Sequence, residues 1–287
     1  MQTIKRTPST LNTETLSSGW LRKRERWGLA LSYTERKTET HWVLRGQATT
    51  LLADQLFSPS LLIAEAIERG VIPVDSKTIV ELGSGTALPS LLAASQQKTP
   101  TIVTITDYPD ESIMRNLEKN VNGNRQGFTS SCRIECAGYR WGDDVTPLRQ
   151  GVLRDLISSI RVTDMLYNVL RSILQGRSGY DIVILSDLLH FRSSHDDLIM
   201  SMTALLGKEA SARAYIAAGK YTPPEVCQNF LQEAERLGIK WQVGENDGVW
   251  RGTTEVGTWS ADELSARKSN VNWWIGKWKH PRAMAEN

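Results

Sequence analysis

The part of this sequence best suited to chemistry is a glycine turn that follows a short apolar strand, at Val80–Pro89. Gly83 and Gly85 let the backbone pass close to a ligand and adopt turns that a Cβ atom would obstruct. The N-terminus of the helix that follows provides a field that favours an electron-rich group. One βα unit later, Asp107 lies where a doubly wound fold places its acceptor for ribose hydroxyls. This spacing predicts a site for a cofactor that contains adenosine.

Two features of the turn separate the cofactor classes that use this arrangement. The dinucleotide fingerprint G-x-G-x-x-G requires a third glycine, and Leu88 stands at that position. Glu81 lies two residues before Gly83, where a dinucleotide site usually has an apolar residue. The order acidic-x-Gly-x-Gly resembles motif I of the Rossmann-like S-adenosylmethionine methyltransferases. The alternatives are a dehydrogenase and a tight strand-to-helix turn that binds no ligand.

Polar and aromatic side chains follow the later strands, at the edge of the sheet where doubly wound folds bind ligands. Trp141 follows the third strand and either stacks on an adenine or fills the core. Ser186 and Asp187 end the most apolar strand, where a buried carboxylate is costly unless it is paired. The ammonium or sulfonium of S-adenosylmethionine would provide such a partner. His190 is either a base for an amine acceptor or a residue that fills space.

The elements that would position these residues alternate between strand and helix. Helices are predicted near 59–70, 88–95, 110–121, 196–206 and 224–237, with a two-helix stretch at 146–176. Strands are predicted at 78–82, 101–106, 131–137, 180–185 and 212–218, followed by a pair at 239–243 and 272–278 without a long helix between them. This order predicts an α/β, Rossmann-like seven-stranded fold, a parallel sheet with an antiparallel C-terminal edge pair. We expect a flexible extension at 1–50, one domain at 51–280 and a tail at 281–287.

The composition is that of an ordinary globular protein. Of 287 residues, 40% are hydrophobic and 23% charged, and the net charge of +2 predicts no general attraction to nucleic acid or membranes. The first residues do not resemble a secretory signal, and no apolar run is long enough to span a bilayer. Three cysteines cannot all pair, which favours a reducing compartment, the cytoplasm or the nucleus. The four scattered histidines give no metal-ligand spacing.

Five motifs in order make the sequence similar to methyltransferase family 16, which contains lysine methyltransferases of the seven-strand class. These motifs are Glu81–Pro89, Thr106–Asp110, Asn116–Val121, Gly138–Gly142 and Leu185–Leu189. The second and the fourth most resemble a fungal branch that is described both as nicotinamide N-methyltransferase-like and as elongation factor 1A N-terminal/lysine methyltransferases. The resemblance implies that the cofactor is S-adenosylmethionine.

The resemblance also assigns roles by position. The implied cofactor residues are Glu81, Gly83, Ser84, Gly85, Asp107, Trp141 and Ser186, and the implied catalytic residues are Asp187, His190 and Phe191. Within the first set, Glu81 and the two glycines would hold the methionine part, Asp107 the ribose and Trp141 the adenine side. Asp187 would begin the Asp-x-x-Tyr/Phe motif that shapes the acceptor site.

The sequence departs from the family at three places. His190 stands at the aromatic position of the acceptor motif, Ala87 replaces the usual third glycine of motif I, and the segment around Phe57 lacks a tryptophan. Three functions therefore stay open. The acceptor is a protein lysine or N-terminal amine, as on a translation factor, or it is a small amine such as nicotinamide; alternatively, the chain binds the cofactor without catalysis and acts as an interaction protein.

Overall fold

The computed structural model describes residues 19–22, 28–31, 53, 55–150, 179–254, 256 and 259–280. The strands are β1 Gly19–Arg22, β2 Gly28–Leu31, β3 Thr78–Leu82, β4 Ile102–Asp107, β5 Arg133–Gly138, β6 Ile182–Ser186, β7 Arg213–Gly219, β8 Ile239–Val243 and β9 Val271–Trp278. The helices are α1 Ser58–Glu68, α2 Leu88–Ala94, α3 Glu111–Asn124, α4 His195–Leu205, α5 Pro224–Arg236 and α6 Ala261–Ser269.

The main sheet has seven strands in the order β5-β4-β3-β6-β7-β9-β8. Strands β3 to β7 pair in parallel, and β9 runs antiparallel to both β7 and β8. β3 and β6 lie at the centre and are buried along their whole length. A strand covered on both faces needs a continuous apolar run, which explains their sequences. The predicted parallel sheet with an antiparallel edge pair is confirmed.

Helices cover both faces of the sheet because successive strand residues point to opposite sides. Ile79 of β3 packs in the core cluster that contains residues of α1, α2 and α3, while its neighbour Val80 packs in the cluster that contains residues of α4 and α5. The two clusters make a three-layer fold. From β3 the chain order runs outward through β4 on one side and β6 on the other, so the order reverses between β3 and β6.

Helix α6 lies between β8 and β9, and the sequence analysis did not predict it. Its N-terminus is a capping box, in which the Ser260 hydroxyl accepts from the Glu263 backbone N–H at 3.2 Å and Glu263 accepts from the Ser260 N–H at 2.7 Å. The Ser-x-x-Glu signature was present in the sequence. The helix has a weak apolar stripe, and of its side chains only Leu264 and Lys268 are buried, so periodicity did not reveal it.

Some predictions fall outside the described residues. Of the extension at 1–50, the structure describes the antiparallel pair β1–β2 alone. Residues 146–150 are helical, and the rest of the predicted two-helix stretch, with the tail at 281–287, lies outside the description. The division into extension, domain and tail stays a prediction.

The described residues add three findings about membranes, metals and thiols. None of their helices is both long enough and apolar enough to cross a membrane. Within the same residues, His, Cys, Asp and Glu side chains form no group of three that could hold a metal ion. Cys132, Cys136 and Cys227 are free thiols.

Candidate active site

A cavity of about 590 Å³ lies at the carboxyl ends of β3, β4, β5 and β6, where the strand order reverses. Every predicted site residue except Glu81 lines it. The lining also includes residues that were not among the predicted site residues: Phe57, Ser60, Tyr108, Tyr139, Leu188 and Asp197. The volume is within the range of cofactor and small-ligand sites.

The turn after β3 forms the floor of the cavity, and Gly83 is required there by conformation and by space. Its φ is +54°, in the left-handed region. A Cβ atom on Gly83 would lie 2.8 Å from Cδ2 of Leu188 and 2.9 Å from Cζ2 of Trp141. The N–H of Ser84 donates to the Thr106 carbonyl at 2.9 Å, which fixes the turn to β4.

Ala87, the residue at the family's third glycine position, has φ +61° and precedes helix α2. The left-handed conformation costs a residue with a Cβ atom about 1–2 kcal/mol. This position therefore favours glycine, and the alanine of this chain keeps the same backbone conformation at some cost in stability.

Glu81 belongs to β3 and is fully buried, and its carboxylate meets the first turn of α2. Its Oε2 accepts from the hydroxyl of Ser90 at 2.5 Å and from the Ser90 N–H at 3.2 Å. Its Oε1 has no hydrogen-bond partner within the described residues. Burial raises the pKa of Glu81 to about 8; the two bonds from Ser90 oppose this rise and the charge of Asp107 adds to it.

The raised pKa of Glu81 predicts how stability depends on pH without ligand. The folded state holds a proton that the unfolded chain has lost, so the free energy of unfolding falls as the pH rises from about 5 to about 8. Glu81→Gln cannot titrate, and we expect its urea midpoint to change less over this interval. Equal slopes for wild type and variant would contradict the buried, protonated carboxyl.

Asp107 ends β4 and is buried, with 7% of its surface exposed. Its Oδ2 accepts from the Gly85 N–H and its Oδ1 from the Tyr108 N–H, both at 2.7 Å. Each oxygen has a further lone pair, so the carboxylate can still accept from two hydroxyls. Burial raises its pKa, while these two bonds oppose the rise. The N-cap of α3 is Asp110, which accepts from the Ser112 N–H at 2.9 Å.

The segment after β5 positions Trp141 against the glycine turn. Ser201 of α4 anchors this segment because its hydroxyl accepts from the Gly142 N–H at 2.9 Å and lies 2.9 Å from the Tyr139 hydroxyl. Trp141 is half-buried, and its ring meets Phe191 edge-on with centroids 5.6 Å apart. It thus lines a wall of the cavity, where its predicted role beside the adenine stays a prediction.

Asp187 follows β6 and provides the carboxylate on the opposite side of the turn. Its backbone has φ +64°, and its side chain is held from the end of β7. Oδ1 accepts from the Gly219 N–H at 3.3 Å, and Oδ2 accepts from the Tyr221 hydroxyl. Burial raises the pKa of Asp187, and these hydrogen bonds oppose the rise. A buried carboxylate at the cavity wall is suited to a cationic ligand.

His190 and Phe191 continue this wall as an aromatic pair, with ring centroids 4.0 Å apart. Phe191 is half-buried, whereas His190 is exposed. Its role as a residue that fills the space of the family's aromatic side chain stays a prediction. Its role as a base stays a prediction. Both rings of the pair line the cavity, so an aromatic ring is present at this position of the wall.

Several site contacts have no signal in the sequence because they join distant segments. The hydroxyls of Ser60 in α1 and Ser186 in β6 lie 2.9 Å apart and close one end of the cavity. Ser90, the partner of Glu81, is only nine residues away in the sequence and was not identified either. Tyr221 could have been found, because it follows the fifth parallel strand at the edge where the other site residues were sought.

The polar groups of the site fit S-adenosylmethionine. Within the described residues, the Ser84 hydroxyl and Oε1 of Glu81 are buried without a partner, beside the turn predicted to hold the methionine part. Asp107 has acceptor capacity for the ribose hydroxyls. The strand order, the glycine turn and Asp107 together define the class, an S-adenosylmethionine-dependent methyltransferase of the doubly wound type.

Comparisons with known proteins find similarity to methyltransferases. A family model described as Lysine methyltransferase matches residues 60–173. The protein N-terminal and lysine N-methyltransferase EFM7 of Gibberella zeae is 29% identical over 194 residues, which is 66% of each chain. The protein of the same name from Aspergillus fumigatus is 26% identical, over 70% of this chain and 73% of that one. The match thus spans about two thirds of the first relative.

Among solved structures, an S-adenosylmethionine-dependent methyltransferase from Aquifex aeolicus overlaps with a TM-score of 0.43 at 13% identity. The overlap covers 76% of this chain and 90% of that chain. The methyltransferase class is supported by strand order, site geometry and the sequence relatives, and does not depend on this overlap.

Proposed function

We propose that this protein is an S-adenosylmethionine-dependent N-methyltransferase that methylates an amine of a protein substrate, a lysine side chain or an N-terminal amine. The observation that carries the proposal is the position of Asp187. This buried carboxylate lines the same cavity as Gly83 and Asp107, which are suited to the cofactor. An acceptor cation and the cofactor could therefore meet in one cavity.

The residues on the β3–β4 side would hold the cofactor. Asp107 would accept from the ribose hydroxyls, and Trp141 would lie beside the adenine. Glu81 and the unpartnered Ser84 hydroxyl would meet the polar end of the methionine part. When bound, S-adenosylmethionine supplies a methyl group on a sulfonium, which is open to attack by a nitrogen lone pair. These groups contribute mainly by orientation.

The residues after β6 would manage the acceptor. An amine arrives as an ammonium and must lose a proton before its nitrogen has a lone pair to share. Asp187 would attract the ammonium, and its raised pKa would make it a better proton acceptor than an exposed carboxylate. Burial of the amine also lowers its own pKa. The aromatic faces of Phe191 and His190 would border the cationic head.

An acceptor on a protein is supported by the open side of the cavity. Tyr108, which lines it, is 46% exposed, and His190 is exposed at the same wall. A protein segment could therefore reach the cavity while the rest of the substrate stays outside. The names of the relatives favour protein amines, and the fungal branch resemblance favours a translation factor, elongation factor 1A, as substrate. Such a substrate places the reaction in the cytoplasm.

The experiment is incubation of the purified chain with methyl-labelled S-adenosylmethionine and a cell extract. The proposal predicts a labelled protein band. A labelled small molecule with no labelled protein would support a small-amine methyltransferase instead. If the chain binds S-adenosylmethionine in calorimetry but transfers no label, it is a cofactor-binding protein without this activity. Binding of NAD, without binding of S-adenosylmethionine, would indicate a dehydrogenase.

A further inference from the structure

Tyr221 touches the site from outside the cavity. It follows β7, and its hydroxyl donates to Oδ2 of Asp187. Asp187 lines the cavity, whereas Tyr221 does not. Tyr221 is 61% exposed, which is unusual for an aromatic residue whose hydroxyl reaches a buried carboxylate. The exposure means that core packing does not explain the position of this ring.

The backbone at the end of β7 makes room for this contact. A Cβ atom on Gly219 would collide with the ring of Tyr221, so the glycine leaves the space in which the ring lies. The N–H of the same glycine donates to the other oxygen of Asp187 at 3.3 Å. The segment Gly219–Tyr221 therefore holds both oxygens of one carboxylate, at the point where Asp187 itself has a left-handed backbone.

The titratable groups around Asp187 come from three elements. Tyr221 approaches from β7, His190 from the segment after β6, and Cys227 from the first turn of α5. Burial raises the pKa of Asp187, and the hydrogen bond from Tyr221 is the largest influence that lowers it. Burial and the nearby carboxylate raise the pKa of Tyr221, so this phenol stays protonated and remains a donor at neutral pH.

We propose that Tyr221 is a positioning residue of the acceptor site, whose hydroxyl holds the Asp187 carboxylate in its ionised form and in the orientation that receives the substrate ammonium. This inference rests on the proposed function and extends it to a residue outside the cavity. Tyr221 touches neither acceptor nor cofactor in this role. It acts through Asp187. A hydrogen bond to one carboxylate oxygen restricts rotation of the carboxylate, so its remaining lone pairs keep a fixed direction.

The test is Tyr221→Phe, which keeps the ring and removes the donor. At neutral pH we expect kcat/KM for the protein acceptor to fall about tenfold, as for the loss of one hydrogen bond to a charged group. Without the donor the pKa of Asp187 rises, so activity on the acid side is lost at a higher pH than in the wild type. Affinity for S-adenosylmethionine stays unchanged.

Tyr215→Phe is the matched control. It removes a hydroxyl from β7, the strand that Tyr221 follows, and within the described residues that hydroxyl makes no hydrogen bond. We expect its pH profile to match that of the wild type. In an Asp187→Asn background, Tyr221→Phe should change kcat/KM by less than about twofold, since a residue that acts through Asp187 has nothing left to act on.

A measurement that does not require methyl transfer separates this inference from the proposed function. The carboxyl signal of isotope-labelled Asp187 is followed by NMR across pH in wild type and Tyr221→Phe, with Asp187→Asn to assign it. A higher pKa in the variant supports the inference even if no methyl transfer is found, a result that overturns the proposed function alone. An unchanged pKa, or a full tenfold loss in the Asp187→Asn background, overturns the role of Tyr221.

Discussion

Asp107→Ala is expected to weaken S-adenosylmethionine binding about 100-fold, because it removes an acceptor for two ribose hydroxyls at a buried position. The same change leaves the N–H groups of Gly85 and Tyr108 without the carboxylate that they now contact at 2.7 Å. The glycine turn thus loses the hydrogen bond by which the Asp107 side chain connects it to the end of β4. Isothermal calorimetry of the folded variant measures the loss directly.

A neighbouring aspartate provides the control for this change. Asp110→Ala removes the N-cap of α3, which typically costs about 1 kcal/mol of stability, at a half-buried position outside the cavity lining. We expect it to bind the cofactor as the wild type does. Near-normal binding by Asp107→Ala, with its circular dichroism intact, would contradict the ribose role of Asp107.

Asp187→Asn is expected to lower kcat/KM for methyl transfer about 100- to 1000-fold while cofactor affinity changes little. The amide has the size of the carboxylate but neither its charge nor its ability to take a proton, and a positioned acid–base group contributes about this much to a rate. Asp187 lines the cavity on the side away from Asp107, which is why the two variants separate acceptor handling from cofactor binding. Steady-state kinetics with labelled cofactor, beside calorimetry, measures both.

Asp196→Asn controls for the loss of one negative charge near the site. Asp196 is exposed in the first turn of α4 and does not line the cavity. Its variant should keep wild-type kinetics. If Asp187→Asn transfers methyl groups at an undiminished rate, Asp187 has no part in handling the acceptor, and the argument for a cationic acceptor loses its main support.

The central sheet could be predicted because its strands have unmistakable sequences. β3 and β6 are wholly buried and mostly apolar, and each is followed by polar residues that parallel pairing brings to one edge. Glycine spacing and the acidic residue of the next βα unit then indicate the cofactor. These signals are local, so a sequence read without structure retains them.

The rest of the site depends on contacts between distant residues, which no local pattern encodes. The Ser60–Ser186 contact joins residues of α1 and β6, and the Tyr221–Asp187 bond joins the ends of two strands. Helix α6 was missed for a different reason. Its capping box was visible, but only Leu264 and Lys268 of its side chains are buried, too few to show a helical period.

The most direct test of the proposed activity is methyl transfer to purified elongation factor 1A, with the modified atom located by mass spectrometry. The wild-type protein with S-adenosylmethionine is predicted to place methyl groups on a lysine side chain or the N-terminal amine, and Asp187→Asn is predicted to place almost none. Methyl groups found on oxygen or sulfur, or an unmodified factor and an unmodified extract despite bound cofactor, would contradict a protein N-methyltransferase.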